Sequence, residues 1–253
     1  MSQPKLVLTK PEAQVAAWRP ALEAEGWCVL SIPLLHLSWC PETAEHRSVV
    51  QNLAQFSGVI MISPSAAQWC VQQLDTWWPQ APTGIHWLGP GPGTAYAFHQ
   101  NQHGLLMQCP TAGFRTEDLL ALDSLQKVSQ QQWLIIAGEG GRSKLLDVLT
   151  ARGATVHRLS VYRRTPVRLN QEQRAHIEGL RPTQDVLYVS SQLALESLTS
   201  QLSEATTQSI DVLVSSPRLQ QRAYQLGWQR VWQSGGASLA TTRDALKRYR
   251  NVV

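Results

Sequence analysis

The sequence predicts an α/β protein built from two similar parallel-sheet domains with a cleft between them, and three observations carry that prediction. First, the 253-residue chain echoes itself at a shift of 127. Leu6-Val7-Leu8-Thr9 falls on Trp133-Leu134-Ile135-Ile136, Gly26-Trp27-Cys28-Val29 falls on Gly153-Ala154-Thr155-Val156, and Ser63 falls on Ser190. Second, short apolar runs alternate with amphipathic segments of about 10 to 15 residues, the pattern of parallel strands covered by helices. Third, turns rich in Ser, Thr and Gly follow the apolar runs, at the strand ends where such sheets collect ligands. A duplicated unit suggests two like domains, and ligand clefts form between domains.

Each element follows from local chemistry. Residues 5–9 read as a short buried strand. Pro11 then opens a helix, because its missing N–H is one that a first turn leaves unpaired. Val15, Trp18 and Leu22 form the apolar stripe of that helix, Pro20 is expected to bend it, and Gly26 closes it before a strand over 28–33. A helix over 45–56, a strand over 58–62 and a helix over 64–74 follow, with Ser63-Pro64-Ser65 at the strand-to-helix junction. Residues 84–88 read as strand, Gly89-Pro90-Gly91-Pro92-Gly93-Thr94 as a stiff turn, and 95–98 as helix. A further helix begins at Thr116, a strand spans 133–137, and Gly138-Glu139-Gly140-Gly141-Arg142 leads into a helix over 145–152 and a strand over 155–162. Beyond Thr165-Pro166 the expected elements are helix 171–180, strand 186–189, helix 193–202, strand 211–214, helix 217–226, strand 230–233 and a last helix over 241–249.

Composition narrows the function classes. The net charge is +4, but Lys and Arg are scattered with no basic run interleaved with aromatics, so a small anion fits better than a nucleic acid. Arg163-Arg164 is the densest basic spot in the middle of the chain. The opening residues lack a charged stretch followed by a long apolar one, and no run of 18 apolar residues occurs. A soluble, cytoplasmic protein away from the membrane is therefore expected. Cys28, Cys40, Cys70 and Cys109 form no CxxC pair and read as reduced, mostly buried thiols. His99 and His103 lack a third ligand, so no metal site is expected.

Several catalytic signatures are missing. Gly89 to Thr94 is not a dinucleotide fingerprint, Gly138 to Lys144 lacks the Gly-Lys-Ser/Thr ending of a P-loop, and no GxSxG elbow occurs. What remains is a set of turns whose free backbone N–H groups bind anions at helix starts. Each charge-assisted contact contributes about 1 to 3 kcal/mol. An enzyme of this kind works by holding a flexible substrate in one shape.

The order of these turns resembles the uroporphyrinogen-III synthase family over nearly the whole chain. The carriers are Leu8-Thr9-Lys10-Pro11, Ile62-Ser63-Pro64-Ser65, Gly91-Pro92-Gly93-Thr94-Ala95, Gly138 to Arg142, Gly153-Ala154 and Val161-Tyr162-Arg163-Arg164. The resemblance implies two doubly wound, flavodoxin-like domains joined by a two-stranded linker, with the active-site cleft between them. The first domain would hold residues 1–34 and 167–253, the second 38–161, with 35–37 and 162–166 as connecting strands. The implied reaction closes hydroxymethylbilane to uroporphyrinogen III with loss of water and inversion of ring D through a spiro intermediate, without cofactor or metal. A monomer is implied, with transient contact to the enzyme that makes the bilane.

Mapped on this chain, the resemblance implies that Tyr162 is the acid that helps the hydroxyl leave, the alternative being a structural tyrosine that caps a strand end. Thr9, Lys10, Ser63, Pro64, Ser65, Gly93, Thr94, Arg142, Ser190, Ser191, Ser216 and Arg218 are expected to bind substrate carboxylates, with helix capping the alternative for the serines and Thr94 and a solvated helix charge for the two arginines. Two departures stand out: Lys10 replaces an arginine, losing its planar fork, and Leu219 stands where a hydroxyl residue is usual. The competing readings are a non-enzymatic two-domain binding protein for a small anion and a nucleotide-dependent transferase.

Overall fold

The computed structural model describes residues 3–111, 113–141 and 143–252. Among the described residues ten strands follow the chain: β1 (Lys5–Leu8), β2 (Cys28–Ser31), β3 (Leu35–Trp39), β4 (Gly58–Met61), β5 (His86–Leu88), β6 (Gln132–Gly138), β7 (Thr155–Pro166), β8 (Val186–Val189), β9 (Asp211–Val214) and β10 (Val231–Gln233). The helices are α1 (Glu12–Ala24), α2 (Ala44–Gln51), α3 (Pro64–Trp77), α4 (Pro92–Phe98), α5 (Thr116–Leu120), α6 (Lys144–Ala151), α7 (Gln171–Glu178), α8 (Gln192–Thr199), α9 (Glu204–Ser209), α10 (Pro217–Gln225) and α11 (Leu239–Val252). None of the described helices is long and apolar enough to cross a membrane.

The chain divides into two compact units, one of Met1–His36 with Thr165–Val253 and one of Leu37–Arg164. It passes from one to the other inside β3 and inside β7. The first unit holds a five-stranded sheet in the order β2-β1-β8-β9-β10, all parallel. Numbered along the chain within that unit, this is the 2-1-3-4-5 order of flavodoxin-like sheets. The second unit holds the order β3-β7-β6-β4-β5, in which β7, β6, β4 and β5 are parallel.

Alternating side chains face opposite sides of each sheet, so each sheet has two apolar layers. In the first unit, Val7, Leu187, Val189, Val212 and Val214 pack with residues of α7, α8 and α10, including Ile177, Leu195 and Leu219. On the other face Leu6, Leu8, Val186, Tyr188 and Leu213 pack with Val15 and Leu22 of α1 and Leu246 of α11. In the second unit Val59, Met61, Leu134 and Ile136 face α2, α3 and α4, while Ile60, Trp133 and Ile135 face α5 and α6. Both faces covered is why these strands read as near-continuous apolar runs.

The 127-residue echo has a topological meaning. The shift carries β1 onto β6, β2 onto β7, β4 onto β8 and β5 onto the end of β9. The run β2-β1-β8-β9 in one sheet thus matches β7-β6-β4-β5 in the other. Each unit combines the leading βαβ piece of one copy with the trailing piece of the other.

Some element boundaries differ from the sequence expectation, for local reasons. Helix α4 starts at Pro92 rather than at 95, because proline fits a first turn. The helix expected over 45–56 ends at Gln51 and continues as a separate 3₁₀ turn, Leu53–Gln55. Strand β7 runs past Tyr162, where apolar periodicity ends it, to Pro166 through four exposed residues, over the stretch that the resemblance gives as a connecting strand. Helix α8 stops at Thr199, and α9 follows with Ser203 capping its start through Thr206 N–H. The first helix continues through Pro20. Of the four cysteines, all free, only Cys70 is buried; Cys28, Cys40 and Cys109 are half-buried, against the expectation of mostly buried thiols.

Candidate active site

In an open α/β sheet, ligands bind outside the carboxyl ends of the strands where the strand order reverses. In the first unit that point lies between β1 and β8, and in the second between β6 and β4. Sequence-predicted site residues cluster at both.

In the second unit, β4 ends at Met61 and Ser63 caps α3, its Oγ accepting from Ala66 N–H at 3.1 Å. Pro64 has no N–H, and Ala66 N–H is taken by the cap. The Ser65 N–H is therefore the first-turn donor left for an anion. Gly93 lies against Pro64, since a Cβ added there would sit 3.9 Å from Pro64 Cγ, and this brings the starts of α3 and α4 together. Thr94 is buried beside Gly89.

Tyr162 on β7 pairs with Gly138 at the end of β6. Its ring is buried, with the edge of Trp39 at 6.5 Å between centroids. Its Oη lies 3.0 Å from Ser63 Oγ and accepts a hydrogen bond from Arg164 Nη2 at 3.1 Å. The Arg164 guanidinium also lies 5.2 Å from the ring centroid. Arg158 donates to the carbonyls of Gly138 and Gly140, pinning the turn that follows β6. Arg163 pairs with Glu139 at 2.9 Å, and Cys40 Sγ lies 3.4 Å from the same carboxylate. Burial first, and Glu139 beside it, push the Cys40 thiol up, so it stays protonated near neutral pH.

Gly138 is required by this packing. A Cβ there would stand 2.5 Å from Tyr162 Cε2 and 2.7 Å from Cζ. Gly138→Ala is expected to displace the ring from Ser63, with a loss of about 1 to 3 kcal/mol in stability, the range for overpacking. Turnover per folded molecule should fall at least tenfold. Urea unfolding and a kcat measurement on the folded fraction check both effects, and unchanged kcat would detach the ring's position from the chemistry.

In the first unit, Thr9 ties β1 to β8. Its N–H and Oγ1–H both point to Tyr188 O, at 3.3 and 2.9 Å. Its hydroxyl proton is thereby committed, and Thr9 shapes the strand end rather than offering a donor. Lys10 is buried, with Nζ 4.5 Å from the Trp18 ring centroid, 5.5 Å from that of Tyr188 and 3.4 Å from Ala237 O. Among the described residues no carboxylate pairs with it. Burial brings its pKa down from 10.5 to about 8. Tyr188 Oη is buried too and has no hydrogen-bond partner among the described residues. Burial raises that phenol, offset in part by the nearby hydroxyls of Thr242, Ser190 and Ser234.

A buried ammonium without an anion is a site waiting for one. Between pH 8 and 10.5 the unfolded chain holds a proton that folded Lys10 has released, so stability rises with pH across that window. On the acid side the charged amine costs on the order of 3 kcal/mol. Lys10→Met should raise the melting temperature at pH 7, flatten this alkaline rise and increase KM at least tenfold. Thermal melts across pH 7 to 10.5 with a KM measurement check it; a lower melting temperature would show that the cation–π contacts dominate.

Ser191 caps α8 through Ala194 N–H at 3.5 Å, and Ser215 Oγ donates to Ser190 O at 3.3 Å. Ser216 caps α10 through Leu219 N–H at 3.3 Å. The Leu219 side chain is buried in the core, so the turn after β9 offers backbone, Ser216 and Ser215, whose hydroxyl proton is taken by Ser190 O, but no hydroxyl at position 219. Arg218 is exposed and makes no ion pair among the described residues. Arg142 lies outside the described residues. Sequence reasoning does not find Arg158, Trp18 or Tyr188, whose roles depend on partners far along the chain. Arg164 stands out there as half of a basic pair and as the end of the Val161-Tyr162-Arg163-Arg164 motif, with no role of its own.

The profile of the family described as "Uroporphyrinogen-III synthase HemD" matches residues 16–241 of the chain. The uroporphyrinogen-III synthase of Salmonella typhimurium is 29% identical over 249 residues, covering 96% of this chain and 98% of that one. That of Escherichia coli is 27% identical over 250 residues, with the same coverage. Among solved structures, a mutant uroporphyrinogen III synthase of Thermus thermophilus superposes with a TM-score of 0.63 at 17% identity, over 99% of this chain and 100% of that one. The uroporphyrinogen-III synthetase of Helicobacter pylori gives 0.62 at 12% identity, over 98% and 100%. At those identities the structural likeness concerns the fold alone. The profile match over most of the chain, agreeing with full-length relatives and with the order of the turns, leads to one conclusion: this chain belongs to the uroporphyrinogen-III synthase family.

Proposed function

We propose that the protein closes hydroxymethylbilane to uroporphyrinogen III, as a lyase that removes water while inverting ring D. The observation that carries this reading is the Tyr162–Ser63 pair at the strand-order reversal of the second sheet, within a chain of this family. The chemistry asks for little beyond positioning. Departure of the hydroxyl from the pyrrolic methylene is assisted by the ring nitrogen, and protonation of the leaving oxygen eases it. The azafulvenium cation that results must be steered to the substituted carbon, through a spiro intermediate, ahead of spontaneous closure to isomer I. Orientation of that kind contributes several kcal/mol.

Tyr162 is the proposed acid. Its phenolic O–H is a donor within reach of Ser63 Oγ. The substrate carries eight carboxylates, and anion-binding features are supplied by each unit: the Lys10 ammonium and the Ser191 and Ser216 helix starts in one, the Ser63 to Ser65 and Gly93-Thr94 helix starts in the other. Lys10, buried without an anion, is the proposed anchor for one carboxylate. The protein is proposed to act as a cytoplasmic monomer.

A ligand panel tests the reading. Uroporphyrinogen III at about 100 times its Kd should stabilise the protein by about 2.7 kcal/mol. ATP, NAD and sugar nucleotides should leave the melting temperature unchanged. No shift with the tetrapyrrole, or a shift with a nucleotide, contradicts it.

A further inference from the structure

The Tyr162 oxygen has two neighbours, and only one of them has a fixed role. A guanidinium has donors and no acceptor, so Arg164 Nη2 always donates to Oη, across 3.1 Å. Ser63 Oγ, 3.0 Å away, is a hydroxyl that both gives and takes. It already accepts from Ala66 N–H at 3.1 Å, which holds it in place. The phenol is thus gripped on one lone pair by a permanent cation and joined through Ser63 to the start of α3. The cation is otherwise uncommitted: the adjacent Arg163 pairs with Glu139, whereas Arg164 has no carboxylate partner among the described residues.

We infer that Arg164 is a positioning residue for the reaction, fixing the Tyr162 oxygen and stabilising the phenolate formed when its proton has left. The inference rests on the proposed function above. In the first step the C–O bond of the hydroxymethyl group breaks and its electron pair goes to oxygen. That oxygen takes a proton from Ser63 Oγ as Ser63 takes the Tyr162 proton, or takes it from Tyr162 directly, and leaves as water. The azafulvenium cation and a phenolate remain. When the closing pyrrole loses its ring proton and regains aromaticity, that proton returns to the phenolate, so the enzyme ends as it began. A phenolate next to a guanidinium at hydrogen-bond distance is a charge-assisted pair, stronger than the neutral pair it replaces. Arg164 therefore contributes more after proton transfer than before it, which is the requirement for lowering a barrier.

A double-mutant cycle on the full-length protein tests this, with kcat and KM for uroporphyrinogen III formation from freshly made hydroxymethylbilane. Arg164→Gln should lower kcat about tenfold or more and change KM less than about twofold. In the Tyr162→Phe background the same substitution should cost nothing further, because the oxygen it serves is gone. Arg164→Lys, which keeps the charge on a longer approach, should recover much of the loss. An equal loss of kcat in both backgrounds would make Arg164 a group acting on substrate independently of Tyr162 and overturn the inference. So would a rise in KM at constant kcat, the mark of a carboxylate grip. If the unaltered protein yields isomer I alone, the functional reading itself fails, and that outcome is distinct from a normal wild type with an unaffected Arg164→Gln.

Discussion

Tyr162→Phe is expected to lower kcat by about 10² to 10⁴, the range for removing a general acid, while KM stays within about twofold. The change is confined to one atom. The ring keeps its edge contact with Trp39 and its seat on Gly138, and Ser63 keeps its bond from Ala66 N–H. Loss of the hydroxyl's two hydrogen bonds, with Ser63 Oγ and from Arg164 Nη2, alters stability by about 1 to 3 kcal/mol, so the variant should still fold. Residual activity should persist, since pyrrole nitrogen assistance and substrate positioning remain. A kcat equal to wild type would leave Tyr162 as a packing residue whose hydroxyl merely ties β7 to α3.

Asp211→Ala should do the opposite, removing about 3 to 5 kcal/mol of stability while leaving the site's chemistry intact in molecules that fold. Asp211 opens β9 at the amino end of the sheet, away from the strand ends that hold the candidate site. Its carboxylate is buried and accepts from Arg230 Nε at 3.1 Å, Arg230 Nη2 at 3.2 Å, Trp232 Nε1 at 2.9 Å, Thr183 N–H at 2.7 Å and Tyr249 Oη at 3.2 Å. Thr183, at φ 64°, holds a left-handed backbone that this bond stabilises. Alanine would remove the shared acceptor of all five donors and leave the half-buried Arg230 guanidinium and Trp232 N–H without it. Urea unfolding gives the stability loss, and kcat corrected for folded protein gives the second half of the prediction.

Asp185, buried just before β8, adds an acid limit to the same end of the sheet. Burial alone would raise its pKa, but the Arg181 side chain and the N–H groups of Lys5 and Arg181 outweigh it and hold the carboxyl below 3.8. Its contribution is present above that pH and is lost as pH falls through the lowered native value.

These two aspartates show what the sequence conceals. Strand positions, both apolar layers and the strand-end turns are legible because they depend on local periodicity and on residues such as Ser63-Pro64 and Ser216-Pro217, whose capping role is written within four positions. Nothing local marks Asp185 or Asp211 as a buried acceptor, since their donors come from Lys5, Arg181, Arg230, Trp232 and Tyr249, most of them at long separation. The site divides the same way. Tyr162 and Ser63 are each visible, but that they share a hydrogen bond across 99 residues is not. Lys10 reads as a substrate-binding cation standing where arginine is usual. Its burial between Trp18 and Tyr188 follows only from the packing of α1 and β8 beside β1. The polar tail of β7 lies beyond the strand over 155–162 that periodicity shows, because its residues are exposed and lack an apolar pattern.

The central claim is that the protein decides which carbon the bilane closes on. The most direct measurement supplies freshly made hydroxymethylbilane, oxidises the products and resolves isomers I and III by chromatography. The account predicts mostly isomer III with the unaltered protein and a shift toward isomer I in proportion to the loss of kcat in Tyr162→Phe. Isomer I alone, formed at the rate seen without protein, would contradict it and leave a two-unit anion-binding protein in its place.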